Sequence, residues 1–552
     1  MSLVERIAAP GVPGAGTRLR NGPVARLSAH PVLAALLTAA VLHLLWWWLL
    51  ANSGGDIAAQ DAWAEFARDH PGSAYNLAWY GGMPPVSYRI LSPYLMALAG
   101  VRTTMIVAGP LSAALLALVL VRSKAIDRPL WPALYGAAAI TCNAVSGRVT
   151  FGLGTLFALG AVAVIFTWPE RWRTPARRHR LPRGALAGVL ATLATASSPV
   201  AGLFLGIAAA ALWLGRRRAA ALAIGVPPVV VVAFSAVFFP FAGLQPMGLV
   251  SLVLPVVLGV VVLLLVPASW LSVRLGAAVY VLVVLVTWIV PSPVGTNVTR
   301  LALLFGGVLL VAAACAPAGR RAAHRWVSPR VGTVLLATAI AISSAWQVAT
   351  AARDAITTAP PDAWAIDVGP LIDQLEARDA GLARVEVVPS SSHREAAALA
   401  PHINLARGWN RQADAERNPI FYDEETPLTA ASYRAWLDRW AVHYVVLPTG
   451  RRDAAAVAEA DLVGDGLGYL RQVWSNPSWR LYAVSHPTPL ADPPAVVTHF
   501  DAAEVELYMP RAGTVVVRIP ESPWLSLLDA QGRRFHRPRR VRVRPRSTST
   551  AA

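Results

Sequence analysis

Long apolar runs alternate with short polar segments over the first 350 residues of the chain. Nine of these runs are each long enough to cross about 30 Å of hydrocarbon as a helix. They cover residues 32–51, 103–121, 129–146, 150–168, 219–237, 249–267, 275–291, 300–317 and 331–350. One more apolar region, 184–214, is broken at Ser197 to Pro199, so it predicts either two short helices or a re-entrant hairpin. The pattern predicts an α-helical polytopic membrane protein with about eleven transmembrane helices within residues 31–351.

The pattern changes after residue 352, where the apolar runs shorten to the length of β-strands. Four such runs lie at residues 384–388, 443–447, 479–484 and 513–519. Between them, residues 431–442 have the spacing of an amphipathic helix. We therefore expect an extracytoplasmic α+β domain over residues 352–530, followed by a basic disordered tail at 531–552.

Composition and charge support a multi-pass protein of the plasma membrane. Hydrophobic residues make up 55% of the chain and charged residues 14%, against about 25% charged in soluble proteins. The net charge of +18 arises mainly from basic residues in the N-terminal segment 1–30 and in alternate loops. Because basic loops stay in the cytoplasm, we expect the N-terminus inside the cell and the first loop, 52–87, outside. The charge follows the order of the spans, so no nucleic-acid partner is expected.

The first external loop concentrates carboxylates between two apolar runs. Its four acids are Asp56, Asp61, Glu65 and Asp69. On a helix the last three share a polar face, whereas Trp63 and Phe66 lie on the opposite face. This predicts an amphipathic helix that lies on the membrane surface with its aromatic side toward lipid. Asp56 follows two glycines and is expected at the N-cap.

Two interpretations of these acids stay open. The simpler one is a helix cap followed by a solvated face. The other is catalytic, because the remaining acids between Glu5 and Asp354 are Asp127 and Glu170, which we expect in the cytoplasm. If the membrane domain performs acid–base chemistry at its outer face, the first loop must supply the acid.

The arrangement resembles the GT-C superfamily of membrane glycosyltransferases. The resemblance rests on the order of the parts and on Asp56 in "SGGDIAAQDAW", with Asp61 as a second candidate. It implies a polyprenyl-phosphate sugar donor, an envelope glycan or glycoprotein acceptor, and a first-loop Asp that acts as general base or binds a divalent metal. The family's closely spaced pairs of acids are missing, so a metal requirement stays open. Abundant Ala and the preference for Arg over Lys indicate a GC-rich bacterium such as an actinobacterium.

Displacement of a lipid phosphate also requires cations near the leaving oxygen. Arg148 in "SGRVTFGLG" and Arg300 in "GTNVTRLALLFG" lie at the expected outer ends of spans, where a guanidinium can hold a phosphate with two hydrogen bonds. The alternative is an arginine whose head group reaches the interface from a helix end.

An acceptor site is the weakest of these predictions. The candidates are Tyr80, Trp409, Asn410, Arg411 and Tyr422, because sugars stack on aromatic rings and bind polar side chains. The segment 401–425 that holds four of them could equally be a hydrogen-bonded loop packed on the membrane domain.

Two other functions compete with sugar transfer. A transporter would suit the number of spans, but transporters usually carry ionisable residues at mid-membrane, and no predicted span contains a carboxylate. A non-catalytic envelope-assembly protein would use the first loop only as a binding surface. The two cysteines, Cys142 and Cys315, lie in predicted spans and form no disulfide framework.

Overall fold

A computed structural model describes residues 29–51, 54–85, 90–167, 177–240, 243–317, 329–358, 368–423, 425–529 and 531–534. The predicted cytoplasmic segment 1–30 and basic tail 531–552 therefore lie almost entirely outside the described residues.

The predicted spans coincide with eleven helices of the described chain. Between the first and second of them lie two further helices, one in the first loop and one just after it. We number these helices in chain order. They are α1 (Pro31–Leu49), α2 (Asp56–Asp69), α3 (Ser92–Ala99), α4 (Val101–Arg122), α5 (Leu130–Val145), α6 (Val149–Phe166), α7 (Arg177–Ser197), α8 (Pro199–Leu214), α9 (Arg218–Phe238), α10 (Leu249–Leu265), α11 (Leu271–Ile289), α12 (Gly295–Ala314) and α13 (Pro329–Thr358). Seven of them are long and apolar enough to cross a membrane, and α5, α8 and α10 are shorter apolar helices. The prediction of a polytopic membrane protein is confirmed.

The region 184–214 forms two helices, α7 and α8, separated at Ser198. Both run along α6. Near its start, Gly154 packs against the turn between them, and near its end Arg183 donates to the Val164 carbonyl. The guanidinium of Arg217, just beyond α8, lies 5.7 Å from the ring of Phe166 at the end of α6. Each helix thus spans the length of α6, which favours two crossings over a re-entrant hairpin.

Close helix packing depends on small residues, as is usual between membrane helices. A Cβ atom at Gly109 would overlap the ring of His43, and one at Gly307 would overlap the phenol of Tyr135. The core between the helices is correspondingly rich in alanine.

The chain beyond residue 368 forms the predicted α+β domain. Its helices are α14 (Gly369–Glu376), α15 (Glu395–Ala398), α16 (Arg411–Arg417), α17 (Ala430–Arg439) and α18 (Val457–Gly464). Its strands are β1 (Arg384–Val387), β2 (Asn404–Leu405), β3 (Val442–Pro448), β4 (Leu470–Ser475), β5 (Trp479–Val484), β6 (Val496–Phe500) and β7 (Val505–Tyr508). A five-stranded sheet has the order β2-β1-β3-β5-β4, and β6 and β7 form a separate hairpin.

The sheet is mixed. Strand β1 pairs in parallel with β2 and β3, whereas β5 pairs antiparallel with β3 and β4. Three of the four predicted strands and the predicted helix at 431–442 are present. The fourth prediction is wrong: residues 513–519 contain only an isolated bridge from Val517 to Ala491.

Helix α2 lies between the membrane bundle and the C-terminal domain. Ile57 and Ala64 pack against membrane-helix residues such as Met105. On another side, Ala62 and Trp63 belong to the hydrophobic core of the C-terminal domain. The prediction that the aromatic side faces lipid is therefore wrong, because protein covers that side.

Candidate active site

A cavity of about 360 Å³ lies where the first loop, the ends of the membrane helices and the C-terminal domain meet. The sequence candidates that line it are Asp56, Arg148, Arg300, Trp409, Asn410 and Arg411. Further lining side chains include Trp63, Gln245, Thr296, Asn297, Asp354 and Gln412. The structure thus brings together an acid, two phosphate-binding candidates and part of the acceptor segment, from positions up to 355 residues apart in the sequence.

Asp56 is the first residue of α2, and Gly55 occupies the N-cap position. Gly55 adopts φ +61°, and a Cβ atom there would collide with the side chain of Thr358, so the turn requires glycine. Asp56 therefore does not occupy its predicted N-cap position. Within the described part of the chain, its carboxylate accepts no hydrogen bond. The acid is therefore available to a ligand in the cavity.

Gln60 connects the Asp56 helix to the turn that carries Arg148. Its Nε2 donates to the carbonyls of Asp56 and Gly147, both at 2.6 Å. Its Oε1 accepts from the backbone N–H of Thr150 at 2.9 Å, in the first turn of α6. The side chain is buried, with 1% of the residue exposed. This one glutamine fixes the two elements that hold the acid and the first guanidinium.

Arg148 is paired with an acid that the sequence interpretation did not select. Its Nη2 lies 2.9 Å from Oδ2 of Asp354, on the last turns of α13. Thr358, four residues on, donates from its hydroxyl to the Asp354 carbonyl and packs against Gly55. The end of the last membrane helix therefore contacts both the Arg148 turn and the start of the Asp56 helix.

Arg300 reaches the same cavity from α12. Its guanidinium carbon lies 5.4 Å from the centre of the Phe151 ring, an arrangement that favours a cation–π contact. Just after Arg300, residues 302–306 form a π-helical turn, a feature that is frequent at functional sites. Arg148 and Arg300 thus line the same cavity as the start of the first loop.

The C-terminal domain supplies an aromatic wall. The ring of Trp409 stacks on His393, with ring centres 3.4 Å apart and planes 8° from parallel. Asp453 binds His393 at 3.2 Å and Arg411 at 2.6 Å. Asn410 caps α16 by accepting from the N–H of Ala413. Trp409 is therefore held in place by groups that themselves share one carboxylate.

The carboxyl group of Asp453 is held in its ionised form by its neighbours. Burial alone would raise the pKa of its carboxyl group, but the hydrogen bonds and positive charges of His393 and Arg411 outweigh burial. The net result is a pKa well below the usual range. Asp453 thus remains ionised at any physiological pH and keeps its partners in position.

Three sequence candidates lie outside the lining of this cavity. Asp61 forms a two-bonded ion pair with Arg102, at 2.8 and 3.1 Å. The Tyr80 hydroxyl donates to the backbone carbonyls of Gly408 and Asn410, and the Tyr422 hydroxyl donates to Asp414 at 2.6 Å. Tyr80 and Tyr422 therefore support the segment that carries Trp409 and do not reach the cavity themselves.

Helix geometry explains why Asp61 does not join Asp56. Residues five apart on an α-helix are turned by about 140° relative to each other. Because Asp56 belongs to α2 and lines the cavity, Asp61 points to a different side of the same helix, where Arg102 binds it. Asp61 is therefore not proposed as a catalytic or metal-binding residue.

A buried cluster of charges stabilises the domain behind the aromatic wall. The guanidinium of Arg407 binds Glu386 and Glu459, and lies 3.8 Å from Asp414. Burial raises the pKa of Glu386 and of Glu459, and Arg407 only partly opposes it. Arg407 also lies 3.9 Å from the centre of the Phe421 ring. The cluster anchors the segment between β2 and α16 that leads to Trp409.

The lining offers few carboxylates to a divalent metal. Those that the structure describes are Asp56 and Asp354, and the second is paired with Arg148. Calcium takes about six to eight oxygen ligands, whereas magnesium keeps several waters and is bound by one or two carboxylates together with substrate phosphates. Among the described residues, one group of three possible ligands, His499, Asp501 and Glu504, lies at the β6–β7 hairpin and does not line this cavity.

Comparisons with known proteins add the following. A domain of unknown function (DUF8823) matches residues 492–550, and the part of this stretch that the structure describes does not line the cavity. No curated protein matches the chain. One similar solved structure is the arabinofuranosyltransferase AftD from mycobacteria, with a TM-score of 0.45, 16% identity, and coverage of 82% of this chain and 40% of AftD. Another is ArnT from Cupriavidus metallidurans bound to undecaprenyl phosphate, with a TM-score of 0.44, 13% identity, and coverage of 82% of this chain and 97% of ArnT.

Proposed function

We propose that this multi-pass membrane protein is a glycosyltransferase of the GT-C type that moves a sugar from a polyprenyl-phosphate donor to a cell-envelope acceptor. One observation carries the proposal. Asp56, selected from the sequence as a base, lines the same cavity as Arg148 and Arg300, both selected as phosphate-binding residues. The cavity lies at the end of the membrane bundle, where a lipid-bound phosphate and a polar acceptor can meet.

The three side chains supply the parts of a displacement at the anomeric carbon. The Asp56 carboxylate takes the proton from an acceptor hydroxyl, whose oxygen then attacks the anomeric carbon. The bond from that carbon to the phosphate oxygen breaks, and the lipid phosphate leaves with the electron pair. Arg148 and Arg300 stabilise the negative charge that develops on the leaving group. Attack opposite the leaving group inverts the anomeric configuration.

The acceptor enters from the side of the C-terminal domain. Trp409 is an immobilised aromatic surface, and Asn410 and Arg411 add polar groups beside it. Sugars and other envelope polymers with hydroxyl groups fit such a wall. Following the distribution of basic loops, we place this face of the membrane outside the cell, where polyprenyl-phosphate sugars replace nucleotide sugars.

A transporter is less well supported. Secondary transporters place ionisable and coupling residues near mid-membrane. In the described membrane helices, the only carboxylate is Asp354, near the end of α13. The candidate chemistry lies at the end of the bundle, as lipid-phosphate chemistry requires.

The test is the substitution Asp56→Asn, which keeps the size of the side chain and removes its ability to accept a proton. The purified chain in lipid nanodiscs is assayed with mannosyl and arabinofuranosyl polyprenyl phosphates and an envelope extract as acceptor. Loss of a general base typically lowers the rate by about 10²–10⁴-fold. We expect this loss with an unchanged melting temperature.

Asp69→Asn is the matched control, because Asp69 lies at the other end of α2 and does not line the cavity. It should leave transfer unchanged. Near-normal transfer by Asp56→Asn would remove Asp56 from the mechanism, and absence of transfer by the unaltered chain with every donor would refute the proposed activity.

A further inference from the structure

A short segment of the C-terminal domain, residues 523–528, contacts the end of a membrane helix. The indole of Trp524 stacks on Phe239, with ring centres 4.6 Å apart and planes 6° from parallel. Its Nε1 donates to the carbonyl of Phe238, the last residue of α9, at 2.9 Å. Val237 and Phe238 are exposed in the protein, as expected of a helix end that contacts lipid. The segment therefore lies at the end of α9, a helix that is long and apolar enough to cross a membrane.

The segment exposes large apolar side chains that the domain does not use. Leu525 packs against the small hydrophobic core that contains Phe500. Trp524, Leu527 and Leu528 are 38%, 55% and 52% exposed. Exposed apolar groups that cluster in this way mark a contact surface. Since Leu525 already anchors the segment, the outward residues are available to a partner.

Positive charge adjoins this surface. Leu528 forms an isolated β-bridge with Arg534, which brings an arginine next to the exposed leucines. Arg533 is paired with Asp529 at 2.9 Å. From Gln531 to the last residue the sequence contains eight arginines and no acid. A partner of this surface should therefore offer an apolar layer to the exposed tryptophan and leucines, and anionic groups to the adjoining arginines.

We propose that residues 523–528 form a membrane anchor that inserts into the headgroup region of an anionic lipid bilayer. Tryptophan is enriched at this depth because its ring is apolar and its N–H is polar. Leucines beside it enter the acyl boundary, and nearby arginines bind lipid phosphates. The contact with α9 fixes the height of the anchor, and the C-terminal domain is thereby tied to the membrane at a second point. This inference is independent of sugar transfer.

The test measures the depth of one residue in the complete chain. Cys142 and Cys315 are replaced by alanine, Leu527→Cys is labelled with an environment-sensitive fluorophore, and the protein is placed in nanodiscs of phosphatidylglycerol and phosphatidylcholine. Val457→Cys, also an exposed aliphatic position, is the matched control on the same domain. We expect blue-shifted emission from position 527, quenching by a doxyl group on lipid, and little quenching by aqueous iodide. A label at position 457 should show no blue shift, little quenching by the doxyl lipid and strong quenching by iodide.

Two further measurements separate the contribution of Trp524 from that of the arginines. Trp524→Ala should reduce quenching by lipid at position 527, because the contact with α9 is lost, whereas Trp524→Phe should retain most of it. Pure phosphatidylcholine should also reduce it, because the arginines then lack anionic partners. Iodide access equal to that at position 457 in every lipid would overturn the proposal. So would protection from iodide without lipid quenching, since a protein or polymer would then cover the surface.

Discussion

Gln60 provides the sharpest test of how the site is built, because it is neutral and does not line the cavity. We predict that Gln60→Leu lowers kcat strongly while donor binding changes little. The substitution removes the two bonds from Nε2 and the bond to Oε1. Of the groups left behind, the Thr150 N–H loses its partner in a buried place, whereas the Gly147 carbonyl still accepts from the N–H of Val149. The unsatisfied N–H costs about 1–3 kcal/mol, which favours a local shift of α2 away from the Arg148 turn.

A shift of this kind acts on the rate. A misplacement of about 1 Å at a reacting group can cost about 10²-fold. Because Asp56 precedes Gln60 by one helical turn, we expect kcat to fall by about 10- to 100-fold. Binding of undecaprenyl phosphate, measured directly by thermophoresis in nanodiscs, should stay within a few fold, since Arg148 and Arg300 remain.

Gln347→Leu is the control. Gln347 is also a buried glutamine, and its Nε2 donates to the Ala139 carbonyl at 3.1 Å between two membrane helices. It does not line the cavity. This variant should lose some thermal stability and keep its kcat. If Gln60→Leu lowers the melting temperature but transfers sugar at the same rate as Gln347→Leu, the position of Asp56 does not depend on Gln60 and the reasoning fails.

Arg148→Ala and Arg300→Ala should each weaken binding of undecaprenyl phosphate by about 10- to 100-fold, because a hydrogen bond to a charged group contributes about 1.5–3 kcal/mol. Lysine at either position should restore this binding only in part. Unchanged binding by both alanine variants would exclude a phosphate site. Asp354→Asn should raise KM for the donor several-fold with kcat and the pH profile unchanged, because Asp354 orients Arg148, and Asp354→Glu should partly restore KM; loss of one limb of the pH profile would instead make Asp354 the base. Asp453→Asn should lower the melting temperature. Because the pKa of Asp453 in the folded chain lies below its unfolded value of about 3.9, the difference in melting temperature from the unaltered chain should be full above about pH 5 and shrink as pH falls below about pH 4. A difference that grows on acidification would contradict the assignment.

Three charged residues that line the cavity could be found from the sequence because charge is scarce in the apolar part of the chain. Asp56, Arg148 and Arg300 are rare charges at the borders of long apolar runs, and such charges are costly unless they have a role. Nine of the eleven helices follow from the length of those runs, whereas the pattern of region 184–214 left two helices and a hairpin open. In both cases the physical signal is local and strong.

The parts that the sequence could not reveal depend on what covers a surface. A helical pattern shows that Trp63 lies on the apolar side of α2, but it does not distinguish lipid from a protein domain encoded 300 residues later. In the sequence pattern, Gln60 is one more polar residue on an amphipathic helix. Asp354 follows an apolar run in a polar stretch, and only the fold places it beside Arg148. The one local signal for Gln60, its position one turn after Asp56, is shared by many residues with no role.

Backbone contacts show that the first loop belongs structurally to the C-terminal domain. The N–H of Gly55 donates to the Ser392 carbonyl at 2.6 Å, and the N–H of Leu405 donates to the Ala78 carbonyl at 2.8 Å. Arg417 donates to the carbonyls of Tyr80 and Gly82. These bonds attach the first loop to the C-terminal domain in addition to its contacts with the membrane helices.

The position of Asp56 therefore depends on two bodies at once. Gln60 ties its helix to the membrane bundle, and Gly55 ties the start of the same helix to the C-terminal domain. A movement of the domain relative to the bundle must stretch one of these connections, and either movement displaces the carboxylate from the guanidinium of Arg148. Because Trp409 is carried by the domain and Arg148 by the bundle, the same movement would also open or close the cavity. The domain is thus a structural part of the cavity, and the position of Asp56 relative to Arg148 depends on the contacts of α2 with both the domain and the bundle.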